Sequence, residues 1–230
     1  FAFVVDGVLQ TNPNAFNREL LDIAQIEVLK GPQGALYGRN ATSGAILITT
    51  KAPSEESEST AVVGMGVNNS TKLQFVNSGK MGENVYTRFS VSTRDTDGEH
   101  TNVFSNSNNV DHFEDTTIRT RFLVDNGDSS WDLRAGISEA SGGTINFNAV
   151  FALPAFQGFG TPGADQFYKD VNSHQFTYMF NVPPVNEQET ADISLKYTED
   201  MGDGREFSAI LAYNHLEEFL LSDGTSGAFG

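Results

Sequence analysis

The 230-residue chain contains no cysteine. That excludes a disulfide framework, a thiolate metal site and cysteine catalysis, and it leaves the redox compartment open, because an oxidising compartment permits disulfides without requiring them. No run of about 18 consecutive apolar residues is present, so a transmembrane helix is excluded. A membrane β-barrel is not, because its strands alternate apolar and polar residues and average to nearly nothing, in keeping with a mean hydropathy of −0.30. Basic residues are scarce. Lys and Arg number 14 against 30 Asp and Glu, a net charge of −16 that argues against nucleic acid, whose phosphates need a basic surface. The four histidines, His100, His112, His174 and His215, lack metal-ligand spacing. No Ser pairs with His and Asp at a recognisable elbow and no motif places two carboxylates, so neither an enzyme nor a protein-bound cofactor or metal is expected. The chain also opens directly on FAFVVDGV, without the pattern of a signal peptide.

What is present is enough apolar material for a real core: 38% hydrophobic residues, 18 of the residues being Phe. The most informative stretch runs from Asp22 to Pro53. Two short apolar runs, Ile23, Ile26, Val28 and Leu29, then Ala45 to Ile48, read as strands. Between them Gly31, Gly34, Gly38 and Gly44 suggest positive φ or close backbone approach, and Pro32 stops any helix continuing from Lys30. A phosphate loop would need Gly-Lys-Ser/Thr at its end, whereas Gly38 is followed by Arg39 and Asn40, so structural turns are the better account.

The segments VVDGV (Val4 to Val8) and IEVLKGPQGALYGRNATSGAILITTKAP (Ile26 to Pro53), in that order, resemble the C-terminal half of the plug domain of TonB-dependent outer-membrane receptors. Glu27, Lys30, Gly31, Pro32, Gly34, Tyr37, Gly38, Arg39 and Gly44 carry the motif and become candidate plug–barrel contacts. The resemblance implies that Glu27 and Arg39 form a lock against lumen acids, with a solvated surface pair as the alternative.

Residues 1–53 are charge-balanced, four acids against four bases, so the acidic excess lies in residues 54–230. After the acidic run SEESES (54–59) the apolar period becomes two. Trp131, Leu133, Ala135 and Ile137 alternate with Asp132, Arg134, Gly136 and Ser138, and Ala191, Ile193, Leu195 and Tyr197 with Asp192, Ser194, Lys196 and Thr198. Val85, Thr87, Phe89 and Val91 oppose Tyr86, Arg88, Ser90 and Ser92, and between 117 and 125 only Leu123 is out of phase. Seven strands are predicted, at about 60–67, 71–77, 84–95, 116–125, 130–139, 188–199 and 205–217. A soluble β-sandwich would alternate in the same way.

Two features favour a barrel. Short connections (NSGKMGEN, DNGDSS, EDMGDG) alternate with long ones (95–115 and 139–187), as periplasmic turns alternate with extracellular loops, VNNST (67–71) being the exception. Trp131, Tyr197 and Phe207 also lie on apolar-face positions near short turns, where an interfacial aromatic girdle would sit. Arg88, Arg119, Arg121 and Arg134 then face the lumen, placed to pair with the plug or with one another. An open seven-stranded set leaves two bare edges that hydrocarbon does not tolerate.

The expected fold is therefore mainly β: the C-terminal part of a mixed α/β plug (1–53), a linker (54–59), and the first strands of an antiparallel up-and-down transmembrane barrel with long extracellular loops (60–230). The resemblance implies a full barrel of about 22 strands, with the first part of the plug, the TonB-contacting segment and the remaining strands outside the sequence in hand. It implies a receptor in the outer membrane of a Gram-negative bacterium, surrounded by lipid. TonB would drive uptake of a scarce small molecule, most often a ferric siderophore, with cobalamin, an oligosaccharide or another nutrient as alternatives. The loop from Ser141 to Val185 is the ligand candidate, being long and rich in aromatics: Phe147, Phe151, Phe156, Phe159, Phe167, Tyr168, Phe176, Tyr178 and Phe180. Packing against other loops is the plainer reading of any one of them. The histidines and the acidic cluster DTDGEH (95–100) read as solvated surface groups, and the reading from a different class is a soluble or surface β-sandwich binding module.

Overall fold

A computed structural model describes residues 1–12, 19–38, 41–102, 105–108, 110–143, 177–178 and 182–221. Among these residues two main sheets form. The first contains β1 (Ala2–Val5), β2 (Val8–Leu9), β3 (Ile23–Lys30) and β4 (Gly44–Thr50), in the order β2-β1-β4-β3, with the single turn α1 (Gly34–Tyr37) between β3 and β4. β1 runs parallel to β4, and β3 pairs antiparallel with it from Ile23↔Thr50 to Lys30↔Gly44. Its core is small. Ala2, Ala41 and Ala45 pack with Leu29, Tyr37 and Leu47, and Phe3 and Ile48 pack with Val5, Leu20, Ile23 and Ile46.

The second sheet is a meander of β5 (Glu58–Met65), β6 (Thr71–Lys80), β7 (Val85–Thr96), β9 (Phe113–Asp125), β10 (Ser129–Gly142), β12 (Val185–Asp200) and β13 (Glu206–Leu221), ordered as in the chain and antiparallel throughout. Two-residue strands β8 (Thr101–Asn102) and β11 (Thr177–Tyr178) pair in parallel outside it. The seven predicted strands are all present, and most extend beyond the alternating stretches, β12 by three residues at its start and β10 by three at its end. The reason is that the backbone ladder continues through Asn186–Glu187, where polar residues occupy both faces and side-chain period carries no signal. Glu58 and Ser59, expected in the linker, pair with Ser78 and Asn77 and open β5.

Short turns 81–84, 126–128 and 201–205 lie on one rim and the long connections on the other, with the tight turn at Asn68 and Asn69 (φ 55° and 53°) on the long-connection side. The orientation of the faces decides the architecture. Along β10, Trp131, Leu133 and Ile137 point outward and are exposed, Ile137 by 57%, while Asp132 and Ser138 are buried, and on β7 Phe89 is exposed while Arg88, Ser90 and Ser92 are buried. The polar face is covered by the four-stranded sheet and the apolar face is bare. A β-sandwich would bury the apolar face, so that alternative fails.

Candidate functional site

The chemistry concentrates where the two sheets meet, in two clusters on the polar face of the wall. The first holds the segment from Glu19 to Asp22. Arg88 of β7 takes Asp22 through two nitrogens, Nη2 donating to Oδ1 at 2.8 Å and Nε to Oδ2, while its Nη1 donates to Glu58 at 2.7 Å. Arg119 of β9 donates to the carbonyl of Leu21 at 2.9 Å, and Leu21 is buried. Glu19 accepts from Lys72 of β6 at 2.9 Å and lies 3.8 Å from Arg94 of β7. Glu19, Leu21 and Asp22 are thus held by β6, β7 and β9 through charge-assisted contacts, about twice as strong as neutral hydrogen bonds.

The second cluster holds the same end of the four-stranded sheet from β9 and β10, where the Lys51 amide donates to the Asp22 carbonyl at 3.0 Å. Arg121 of β9 grips Asp132 of β10 (Nε–Oδ1 2.9 Å, Nη2–Oδ2 2.7 Å), and its Nη1 donates to the carbonyls of Lys51 at 3.0 Å and Thr50 at 3.4 Å. Arg134 of β10 donates to the same Asp132 at 2.5 Å and to the carbonyl of Asp6 at 2.9 Å. Asp6, in the left-handed region at φ 52°, accepts the amide and hydroxyl of Thr50, each at 2.8 Å, so its carboxylate joins the β1–β2 turn to the end of β4. The space left between sheet and wall here, lined by Asp6, Asp22, Arg88, Arg119 and Arg121 among others, is about 40 Å³. That admits a few waters and no ligand, whereas a larger space of about 360 Å³ lies between Glu19–Ile23 and Thr60, Val62, Lys72 and Gln74 of β5 and β6. Further along, Gln10–Asn12 face Thr190, Asn214 and His215 across a more open polar space of about 280 Å³.

All four lumen-facing arginines singled out in the sequence meet the plug. Their partners Asp6, Asp22 and Glu58 and the shared Asp132, like the Glu19 that takes Lys72 and Arg94, are not legible in the sequence. The one available signal is that three of the four acids in residues 1–53 recur in these contacts. The motif residues sit elsewhere. Glu27 and Lys30 lie on β3, the outer strand of the plug sheet, with Glu27 exposed and accepting from Gln25 at 2.6 Å. Gly31 and Gly38 have φ of 82° and 79°, Pro32 lies between β3 and α1, Gly34 and Tyr37 bound α1, and Tyr37 packs on the plug core. Gly44 has φ 144°, and a Cβ there would lie 2.4 Å from the Leu29 carbonyl, so this position is restricted to glycine. Arg39 lies outside the described residues, as do Phe147, Phe151, Phe156, Phe159, Phe167, Tyr168, Phe176 and Phe180. Tyr178 belongs to β11, whose backbone pairs with β8.

Two aromatic and loop readings are also settled. Trp131 and Tyr197 stack at 4.5 Å between centroids, and Tyr197 and Phe207 at 6.4 Å, forming one outward aromatic strip beside the short-turn rim. His100 and Asp111 are not solvated, contrary to the sequence reading. They pair at 2.7 Å with side chains 16% and 18% exposed, and Asp111 accepts the amides of Glu99 and His100 because the turn at Gly98 (φ 82°) folds the loop around it.

Residues 1–45 match the TonB-dependent receptor plug domain family. That match is what the chain shares with the TonB-dependent receptors. The chain is 28% identical over 120 residues to the vitamin B12 transporter of Vibrio vulnificus, covering 50% of this chain and 20% of that protein. It is 27% identical over 130 residues to the pesticin receptor of Yersinia pestis, covering 56% and 19%. In fold it matches the ferric yersiniabactin uptake receptor of Yersinia pestis with a TM-score of 0.73 at 20% identity, over 96% of this chain and 33% of that one. The closed form of the ferric-catecholate import receptor of E. coli K12 gives 0.73 at 18% identity, over 95% and 29%. The chain thus spans about a fifth of the curated relatives and about a third of the solved receptors. The four-stranded sheet is the plug and the seven-stranded sheet is barrel wall.

Proposed function

We propose that this chain is the plug end and first wall strands of a Gram-negative outer-membrane transporter that takes up a ferric siderophore with energy from TonB. The domain division we take is plug 1–53, linker 54–59 and barrel from 60 onward, except that the first wall strand already opens inside the linker at Glu58. The observation that carries the reading is the inverted wall: apolar residues face outward, where lipid would cover them, and the charged face is filled by a plug clasped through arginines. A plug that closes the lumen at rest requires a ligand-triggered, energised opening, and strand addition by TonB to a periplasmic segment would deliver it. The siderophore preference rests on the company the fold keeps, since receptors for yersiniabactin, catecholate and pyoverdine complexes share it. Iron would arrive held by its siderophore, so the protein needs no metal ligands of its own. The candidate plug–barrel contacts include the lock of Glu27 and Arg39, and the loop from Ser141 to Val185 is taken as the ligand contact.

The test is equilibrium binding of ferric siderophores, cobalamin and oligosaccharides to outer-membrane vesicles carrying the full-length protein, with the 141–185 loop deleted as control. Tight binding of one siderophore, lost on deletion, supports the reading. Binding of cobalamin or an oligosaccharide alone replaces the substrate, and recovery of the protein in the soluble fraction overturns the membrane assignment.

A further inference from the structure

The wall cluster at Asp132 has a shape that plug retention alone does not require. Arg121 and Arg134 stand directly opposite each other in the β9–β10 register. Two guanidinium groups so placed repel, and left alone they would turn apart. Asp132, two residues from Arg134 on the same face and only 6% exposed, takes both. It occupies the Nε–Nη2 edge of Arg121, which leaves Nη1 as the end directed at Lys51 and Thr50, and it holds Nη2 of Arg134 while Nη1 reaches Asp6. Each arginine therefore has one end on the wall and the other on the plug. The hydrogen bonds they make to the plug all go to backbone carbonyls, which every residue type offers, and one plug side chain adds to them, the Asp6 carboxylate, 3.7 Å from Arg134 Nη1.

We infer that Asp132 is a positioning residue of the transport gate: without touching the plug, it aims Arg121 and Arg134 at the carbonyls of Asp6, Thr50 and Lys51 and so keeps the rim end of the plug sheet shut. Asp6 makes the clasp cooperative. Its carboxylate ties the β1–β2 turn to Thr50, so releasing either arginine loosens both carbonyl-bearing strand ends. The gating sense of this inference rests on the transporter reading above, whereas the clasp itself does not.

The test is amide hydrogen exchange on the full-length protein in outer-membrane vesicles, read at Asp6, Thr50 and Lys51. These amides bond to Ile48 O, Asp6 Oδ1 and Asp22 O respectively. Asp132→Asn keeps the shape of the side chain but replaces an acceptor with a donor, and exchange at those three amides is expected to rise about tenfold, with greater ion conductance in planar bilayers. Asp132→Glu is expected to return exchange most of the way to wild type. Arg88→Gln should raise exchange around Asp22 and not at Asp6. A folded Asp132→Asn barrel with wild-type exchange at the three amides overturns the inference. So does exchange that rises equally along β9 and β10, which would make Asp132 a residue of wall stability only. Where Asp132→Asn fails to assemble, Arg121→Gln/Arg134→Gln with Asp132 intact is read by the same two criteria. Siderophore uptake is measured separately: lost clasp with no uptake in wild type counts against the transporter reading alone, and normal uptake with an unchanged clasp counts against the inference alone.

Discussion

Arg88 of the wall and Asp22 of the plug form a two-pronged ion pair in which both side chains are only 7% exposed. The pair lies between two separately formed sheets, so it reports on their docking rather than on the stability of either. Taking Arg88 away leaves the buried Asp22 carboxylate without its ion-pair partner. Arg88→Met is expected to weaken plug docking by about 3–5 kcal/mol, and Arg88→Met combined with Asp22→Leu to recover most of that loss, because a matched apolar pair removes the desolvation penalty as well as the attraction. Hydrogen exchange at residues 19–24 of the full-length protein is the measurement.

Gly44 and Gly34 give opposite expectations for the same substitution. At Gly44 a methyl group would meet the Leu29 carbonyl at 2.4 Å on a backbone with φ 144°, so Gly44→Ala should cost about 1–3 kcal/mol and break the end of the β3–β4 pairing. At Gly34, inside α1, nothing lies within 4 Å, and Gly34→Ala should be neutral or stabilise by up to about 1 kcal/mol. Denaturant melts of the two variants side by side decide it.

The outward apolar face predicts depth-dependent penalties for charge. Ile193 lies mid-strand on β12 and is 48% exposed on that face. Ile193→Arg is expected to destabilise the barrel in lipid vesicles by about 2–4 kcal/mol. Trp131→Ala, near the rim, is expected to cost about 0.5–1.5 kcal/mol from its stacking on Tyr197, beyond its lost area. Urea unfolding from vesicles measures both, and an Ile193→Arg protein as stable as wild type would contradict a lipid-facing wall.

The long-connection rim carries a pH-sensitive contact. Burial pushes the Asp111 carboxyl up, but the hydrogen bond from His100 and the amides of Glu99 and His100 outweigh it and hold it below its ordinary value. A depressed carboxylate stabilises the folded loop above its unfolded pKa, near 3.8, and that contribution disappears as pH falls through the lower folded value. Exchange protection in the 97–112 loop should therefore persist at neutral pH and fall below about pH 4, and Asp111→Asn should lack the protection at all pH values.

The sequence by itself determined the seven wall strands, their order and, along the alternating stretches, the parity of the side chains. Period-two alternation marks β7, β9, β10 and β12, alternating connection lengths order them as a meander, and parity alone put Arg88, Arg119, Arg121 and Arg134 on one face. These are local properties, set by the pleat and by turns of a few residues. The glycine-spaced turn of the plug was legible for the same reason, because positive φ at Gly31 and Gly38 is a single-residue matter. Alternation, however, is symmetric between the two faces: it says that Ile137 and Ser138 point apart and not which of them points to solvent. Only the packing of the plug against the polar face decided that. The partners of the arginines were equally out of reach, since Asp22 lies 66 residues from Arg88 and Asp6 lies 128 from Arg134. Contacts at that separation depend on the closed geometry of two sheets, and a single carboxylate such as Asp132 acquires its shared role only once the pleat has set two like charges face to face beside it.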